Sequence, residues 1–200
     1  MQRQPRDAAS TQGVGLPLAE LAEARLVSRV ADGELQAFEQ LYRTYHPRLT
    51  RFLDRVTRRP GLVGELLNDT MLVVWSRAGT YNCSCKVSTW IFAIAYRKAI
   101  KALSRWDEPV QDDLPDACAP DEAGPEQRLA QSQLRALLAR ALDTLSAEQR
   151  AVVALTYLHD IGYREIGEIV GCPVDTVKTR MFHARRRLKT VLAGRLEDWL

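Results

Sequence analysis

Positively charged side chains are concentrated near the end of the chain, in a stretch that could bind nucleic acid. Between Pro173 and Lys189 the sequence carries lysines, arginines and one histidine but only one acid, Asp175. Such cations can neutralise phosphates, and Arg or Lys near the start of a helix can also donate hydrogen bonds to guanine. These residue types predict DNA binding. The alternative is a solvated charged face on an ordinary helix.

The residues around these cations have the signals of a helix, a turn and a second helix. Tyr163–Val170 is a short amphipathic stretch that directs Ile166 and Ile169 to a core. Gly171 suits the turn because glycine adopts the left-handed conformation without steric cost, and Pro173 suits the first position of the next helix. One apolar stripe then follows helical spacing: Val174, Val177, Met181, Ala184 and Leu188. This helix-turn-helix pattern predicts a second helix that lies in the major groove.

A second mixture of aromatic and basic residues lies on a long helix predicted from Thr89 to about Arg105, with Ser88 as its N-cap. Its aromatic residues are interleaved with cations, namely Trp90, Phe92 and Tyr96 with Arg97, Lys98, Lys101 and Arg105. Aromatic faces stack on unpaired bases while cations follow the backbone, so the mixture suits single-stranded or melting DNA. Burial of the aromatics in a core, with solvated cations, is equally open.

The composition bounds the class of protein. The 200 residues carry a net charge of only +3, so charge placement is more informative than the total. No apolar run is long enough to span a bilayer, and the N-terminus lacks the apolar core of a signal peptide, so we expect a cytoplasmic protein without membrane insertion. Four cysteines do not make a disulfide framework. Since no alternating strand pattern persists, an all-α fold is predicted.

Helical segments and one change of composition divide the chain. Expected are a disordered leader (1–20), a first helical domain (21–105), an acidic, proline-rich linker (106–126), a second helical domain (127–193) and a tail (194–200). Within the domains, Pro47 suits the first turn of a helix. A turn is predicted at Arg59–Gly61 and a loop at Gly79–Val87. Ser146 and Gln149 form a capping-box pattern.

This ordered set of segments resembles the extracytoplasmic-function (ECF) group of bacterial sigma factors, in the sigma-70 family. Glu65–Trp75 resembles the polymerase-binding helix of that family, and Tyr81–Arg97 its promoter-melting segment. Leu142–Arg150 and Gly162–Leu188 resemble its C-terminal promoter-reading domain. The resemblance covers roughly Leu26 to Leu192 and includes both domains in the family's order.

The resemblance implies a protein without catalysis or cofactor that binds core RNA polymerase, promoter DNA and an anti-sigma protein. Polymerase binding is expected at Glu65, Asn68, Asp69, Met71, Leu72 and Trp75. Recognition and melting of the minus-ten element are expected at Tyr81, Asn82, Ser88, Trp90, Tyr96, Arg97, Lys98 and Lys101. Recognition of the minus-thirty-five element is expected at Thr176, Lys178, Thr179, Arg180, His183, Arg186 and Arg187. The linker either threads the polymerase channel or is a mere tether.

Other functions fit the sequence less well. A dimeric helix-turn-helix regulator would bind duplex DNA without polymerase and leaves the aromatic and basic helix unexplained. An enzyme is disfavoured because the sequence has no glycine-rich phosphate-binding loop and no set of residues typical of nucleophilic catalysis. Cys83 and Cys85 are one residue apart, a spacing that is unusual for zinc, although a modulating thiol stays open.

Overall fold

The computed structural model describes residues 18–105 and 136–196, and these residues contain helices and no strand. The first group of helices consists of α1 (Leu18–Ala31), α2 (Leu35–Thr57), α3 (Pro60–Arg77), a 3₁₀ turn (Ala78–Thr80) and α4 (Val87–Arg105). The second group consists of α5 (136–143), α6 (Ala147–Tyr157), α7 (Tyr163–Val170) and α8 (Val174–Leu196). The predicted all-α class is confirmed. None of these helices meets the length and apolarity that a bilayer crossing requires.

Helix α2 is the centre of the first group. Its apolar face recurs at helical spacing and is fully buried against α1, α3 and α4 through Leu41, Tyr45, Leu49, Phe52 and Val56. The Phe52 ring meets the Phe92 ring of α4 edge to face, with centroids 5.2 Å apart. Burial of each such side chain contributes about 1.5–3 kcal/mol, so this face fixes the first group.

Two prolines lie in structures that differ from those predicted from the sequence. Pro47 lies inside α2 and not in a first turn. The helix continues because its buried face extends on both sides, through Tyr45 and Leu49, and outweighs the backbone hydrogen bond that proline cannot donate. Pro60 is the first residue of α3, which therefore begins inside the predicted Arg59–Gly61 turn. Proline suits this position because the N–H that it lacks would have no partner within the helix.

The ends of three helices also differ from the predicted bounds. Helix α1 begins at Leu18, before residue 21, and α8 continues to Leu196, past the start of the predicted tail. Helix α4 begins at Val87, so Ser88 lies in its first turn and is not the N-cap. The Val87 side chain is 2% exposed, and its burial draws the chain into the helix two residues earlier than the predicted Thr89.

The second group has a capping box and a glycine turn where the sequence predicts them. The Ser146 hydroxyl accepts from the Gln149 N–H and the Gln149 side chain accepts from the Ser146 N–H, which confirms the capping box. Gly171 ends α7 with a φ of 68°, the left-handed conformation expected there. Pro173 was predicted as the first residue of the second helix, but it lies immediately before α8, and its carbonyl oxygen accepts the N–H of Thr176 at 2.9 Å.

The two groups pack against each other. Helix α2 contacts α6 and helix α4 contacts α7, so the buried apolar residues of both groups form one continuous cluster. The predicted linker, most of the leader, residues 127–135 of the second domain and the last four residues lie outside the described residues.

Candidate functional site

An exposed apolar patch lies on α2 and α3. Leu72 is 64% exposed on α3, and Leu35 is 70% exposed at the start of α2. The half-buried Trp75 ring packs edge to face on Phe38, with centroids 5.0 Å apart. Contiguous exposed apolar patches mark interaction surfaces, so this patch is a candidate docking face. It includes Leu35 and Phe38 of α2. The sequence analysis did not predict these two residues, because none of the four segments that carry the family resemblance lies in α2.

The polar residues beside this patch are partly engaged within the protein. The Tyr42 hydroxyl lies 3.4 Å from Asn68 Oδ1, and Lys98 Nζ donates to Asp69 Oδ2 at 2.8 Å. Glu65 is exposed. Met71 was expected to contact a partner, but its side chain is 1% exposed in the core of the first group, and that expectation is corrected. It lies at the edge of the buried face of α3, in line with the buried Leu67 and Val74 at helical spacing.

The loop between the 3₁₀ turn and α4 is held by its own side chains. The Tyr81 hydroxyl donates to the Cys85 carbonyl oxygen at 2.6 Å, and the Tyr81 and Trp90 rings lie 5.2 Å apart. The exposed Asn82 accepts the N–H of Ser84 at 3.1 Å. Burial, followed by the nearby Cys83 and Cys85, raises the pKa of Tyr81 to about 12. Tyr81 therefore stays neutral and donates at any physiological pH.

Helix α4 divides its aromatic and basic residues between the interior and the surface. Phe92 is fully buried and Tyr96 is 7% exposed, so these rings are covered in this arrangement. Trp90 is half-buried beside the loop. Arg97 and Lys101 are exposed, and Ser88 and Lys98 are half-buried. The burial of Phe92 and Tyr96 favours the core alternative for these two rings, whereas Trp90 and the exposed cations border the surface.

Helix α8 presents its cations on the side opposite its buried stripe. Val177, Met181 and Ala184 are buried, and the residues at 178, 179, 183, 186 and 187 are exposed. Lys178 Nζ donates to Asp175 Oδ1 at 3.0 Å, an exposed pair that costs little to break. The Thr179 hydroxyl donates to the Asp175 carbonyl oxygen at 2.9 Å. Packing of the buried stripe therefore turns the predicted DNA-binding face of α8 toward solvent.

Arg185 and Phe182 extend the surface of α8 beyond the predicted residues. Phe182 is 61% exposed, and its ring lies 5.5 Å from that of His183. Arg185 Nε donates to the Tyr157 hydroxyl at 3.0 Å, and this contact ties α8 to the end of α6. Arg180 and Thr176 are half-buried, and Arg180 Nη1 lies 3.8 Å from Cys172 Sγ.

The cysteines of the described residues are free thiols. Cys83 is exposed, and Cys85 and Cys172 are half-buried. Burial, followed by the nearby Glu168, raises the pKa of the Cys85 thiol, which makes it less reactive. Within residues 18–105 and 136–196 no group of histidine, cysteine or acidic side chains could hold a metal ion.

Comparison with known families identifies both groups of helices. The model of Sigma-70 region 2 matches residues 41–107, and the model of Sigma-70, region 4 matches residues 135–188. The ECF RNA polymerase sigma factor RpoE of Cereibacter sphaeroides is 32% identical over 157 residues, which cover 76% of this chain and 84% of that protein. The ECF RNA polymerase sigma factor SigM of Mycobacterium tuberculosis is 29% identical over 177 residues, 86% of each chain.

Solved structures share the fold. CnrH, solved in complex with the cytosolic domain of CnrY, superposes with a TM-score of 0.65 at 21% identity, over 86% of this chain and 98% of that one. The sigma factor RpoE of Bartonella quintana, solved with the anti-sigma factor NepR, has a TM-score of 0.64 at 23% identity, over 80% and 98% of the two chains.

Proposed function

Because the chain belongs to the ECF RNA polymerase sigma factors, we propose how its surfaces divide the work of promoter-specific transcription initiation. Members of this family are regulatory and non-enzymatic: they bind core RNA polymerase and direct it to promoters. The observation that carries the assignment is the presence of both sigma-70 segments in one chain, in order, with exposed cations on the helix that follows the helix-turn-helix turn.

The patch on α2 and α3 would bind core polymerase. Leu72 and Trp75 supply apolar area, while Glu65, Asn68 and Asp69 lie on the same helix and supply carboxylate and amide oxygens for a basic partner surface. An apolar centre with polar residues at its rim is the usual composition of a protein interface. Exposed Leu35 and the Phe38 ring, which packs on Trp75, would extend this face to α2.

The loop 81–87 and the start of α4 would recognise and melt the minus-ten element. A base flipped out of the duplex must recover a few kcal/mol by stacking and hydrogen bonds. The half-buried Tyr81 and Trp90 rings and the exposed Asn82 amide are suited to this exchange. Arg97, Lys98 and Lys101 continue along α4 and would follow the phosphates.

Helix α8 would read the minus-thirty-five element. Lys178, Thr179 and His183 are exposed on its outer face near the N-terminal half, where side chains reach base edges. Thr176 and Arg180 are half-buried beside them, and Arg186 and Arg187 lie further along and would contact phosphate only.

The domain roles follow from these surfaces. Residues 21–105 would bind polymerase and melt the duplex, and residues 127–193 would read the upstream element. An anti-sigma protein would mask both, as NepR is the anti-sigma partner in the Bartonella quintana complex. This work would take place in the cytoplasm, where the chromosome lies.

Run-off transcription with purified core polymerase on a genomic fragment library tests the function directly. We expect defined transcripts only when the chain is added, and their start sites would give the promoter consensus. The opposite result, in which the chain binds duplex promoter fragments tightly as a dimer and core polymerase changes nothing, would favour the helix-turn-helix regulator.

A further inference from the structure

Two cysteines lie in the loop before α4, with only Ser84 between them. Cys83 and Cys85 are both free thiols, the first exposed and the second half-buried. Among the described residues no third side chain joins them to form a metal site. Neither thiol belongs to the proposed DNA or polymerase contacts, so the proposed function leaves the pair unexplained. In the cytoplasm, a cysteine pair that forms a disulfide is usually redox-active and not structural.

The spacing brings the two sulfur atoms within reach of each other. In a fully extended chain, Cα atoms two residues apart are separated by about 7 Å at most. A disulfide joins Cα atoms that are about 4.4–6.8 Å apart. The chain bends at residues 83–85, and Cys83 has a left-handed φ of 57°, so its Cα lies closer to that of Cys85 than in an extended chain. A disulfide between them therefore needs no movement of a helix.

The different environments of the two thiols give them different parts in an oxidation. Cys83 is exposed and meets a dissolved oxidant first. Burial, followed by the nearby Glu168, raises the pKa of the Cys85 thiol, which makes it the poorer first nucleophile. Because Cys85 is held in the same bend, it is the thiol that can react with an oxidised Cys83.

The hydrogen bonds that hold the loop end on the backbone of the same three residues. The Tyr81 hydroxyl donates to the Cys85 carbonyl oxygen at 2.6 Å, and Asn82 Oδ1 accepts the N–H of Ser84 at 3.1 Å. Both thiols are free in this conformation, so closing a ring around Ser84 must change it. Tyr81 and Asn82, which are proposed to take up a flipped base, would then lose their anchors.

We propose that Cys83 and Cys85 are a modification site, at which hydrogen peroxide closes a disulfide that stops promoter melting until a dithiol reduces it. This inference rests on the proposed function, since it concerns the loop that is proposed to melt the minus-ten element.

The oxidation takes place in two steps. The Cys83 thiolate attacks one peroxide oxygen, the O–O bond breaks, and Cys83 sulfenic acid and hydroxide form. The Cys85 thiolate then attacks the Cys83 sulfur, so that the S–S bond forms, the S–O bond breaks and hydroxide leaves. The two thiols lose two electrons, and their protons convert both hydroxides to water.

Peroxide treatment of the purified full chain, ended with catalase before core polymerase is added, tests the proposal. Peptide mass spectrometry locates the disulfide, and permanganate footprinting on a promoter found by run-off transcription measures open complexes. We expect a Cys83–Cys85 disulfide and a loss of open complexes of about tenfold or more, because stacking and hydrogen bonds to the flipped base are lost. Dithiothreitol should restore melting. Polymerase affinity, measured by competition against a labelled chain, should not change, because the loop lies outside the patch on α2 and α3.

Serine substitutions supply matched controls, and each variant is compared with its own reduced form. Cys83→Ser and Cys85→Ser cannot close the ring, so peroxide should not change their open-complex formation. Cys172→Ser removes the half-buried thiol beside Arg180 but keeps the pair, so peroxide should inhibit it as it inhibits the wild type.

Several outcomes would overturn the proposal. These are thiols that stay unlinked or pair with other cysteines, a disulfide that leaves melting unchanged, and a Cys85→Ser variant that peroxide inhibits as strongly as the wild type. Loss of polymerase binding by the oxidised chain would also overturn it, because the damage would then extend beyond the loop. If the reduced chain supports no transcription, the proposed function fails and the effect on melting fails with it, whereas mass spectrometry alone decides the modification site.

Discussion

At the scale of single residues, the turn between α7 and α8 leaves no room for a β-carbon at Gly167. A β-carbon added there would lie 2.8 Å from the Cys172 carbonyl oxygen, which belongs to the backbone of the turn and cannot rotate away. We therefore expect Gly167→Ala to lower the free energy of unfolding by about 1–3 kcal/mol, the usual cost of overpacking. Chemical denaturation followed by circular dichroism measures it.

Gly64 is the matched control for this change. It lies in the interior of α3, is exposed, and a β-carbon added to it would have no atom within 4 Å. Gly64→Ala should raise the free energy of unfolding by about 0.5–1 kcal/mol, because alanine loses less backbone entropy in a helix. Equal effects of the two substitutions would contradict the steric argument.

The half-buried His159 makes stability depend on pH. Burial, followed by the charges of Arg48 and Arg51, lowers the pKa of His159 to about 4 from its ordinary 6.5. The unfolded chain therefore binds more protons between these values, and stability is lost as the pH falls from 6.5 towards 4, by on the order of 1 kcal/mol per pH unit. Thermal unfolding at pH 7.5, 6 and 5 measures the loss.

His159→Phe removes the titration while keeping an aromatic plug between Phe52 and Phe92. Its stability should exceed that of the wild type by a margin that grows as the pH falls below 6.5. Parallel pH dependence in the two proteins would show that His159 is not the group responsible.

At the scale of elements, α8 separates base contacts from phosphate contacts along its length. Lys178 and Arg180 lie in its N-terminal half, so Lys178→Ala and Arg180→Ala should each weaken binding to the upstream element by about 1–3 kcal/mol and relax its sequence preference. Arg187→Ala should weaken binding to all sequences alike and reduce the salt dependence by about one unit of slope. Binding titrations of the polymerase complex on matched and altered elements measure both.

Arg25→Ala is the control for these charge losses, because Arg25 is exposed on α1, far from α8 in the chain. It should leave promoter affinity unchanged. Unchanged promoter activity in both Lys178→Ala and Arg180→Ala would refute the assignment of α8 as the reading helix.

At the scale of the whole molecule, assembly with core polymerase depends on surface that the folded chain does not need for its own stability. Leu72 is 64% exposed, so Leu72→Glu should leave the melting temperature nearly unchanged. A carboxylate at the centre of an apolar interface would nevertheless weaken polymerase binding by about tenfold or more. Competition against a labelled chain for core polymerase measures the affinity.

Leu21→Glu makes the same change at a 38% exposed position of α1 and serves as the control. It should keep polymerase binding. If both variants bind as well as the wild type, the docking face lies elsewhere.

Local features of this protein were predictable because short-range chemistry determines them. The Ser146 and Gln149 capping box, the left-handed Gly171 and the buried stripe of α8 each depend on residues a few positions apart. Helix ends were less predictable. Ser88 has the side chain of an N-cap, but burial of Val87 moved the start of α4 to a residue before it. The position of Pro47 was predicted wrongly for the same reason: packing of α2 on four neighbouring helices outweighed the local preference of proline for a first turn.

The sequence by itself determined the helical class, the helix-turn-helix turn and the family resemblance, because periodicity and residue type are properties of the chain order. Only the tertiary structure decided that Met71 and Tyr96 are covered, that α2 contributes to the exposed patch, and that the His159 ring packs on Phe52 and Phe92 of the first group. Helical spacing gives the faces of a helix but not the partner that each face meets. Packing between segments far apart in sequence determines that partner. In this chain the same packing joins the two groups of helices.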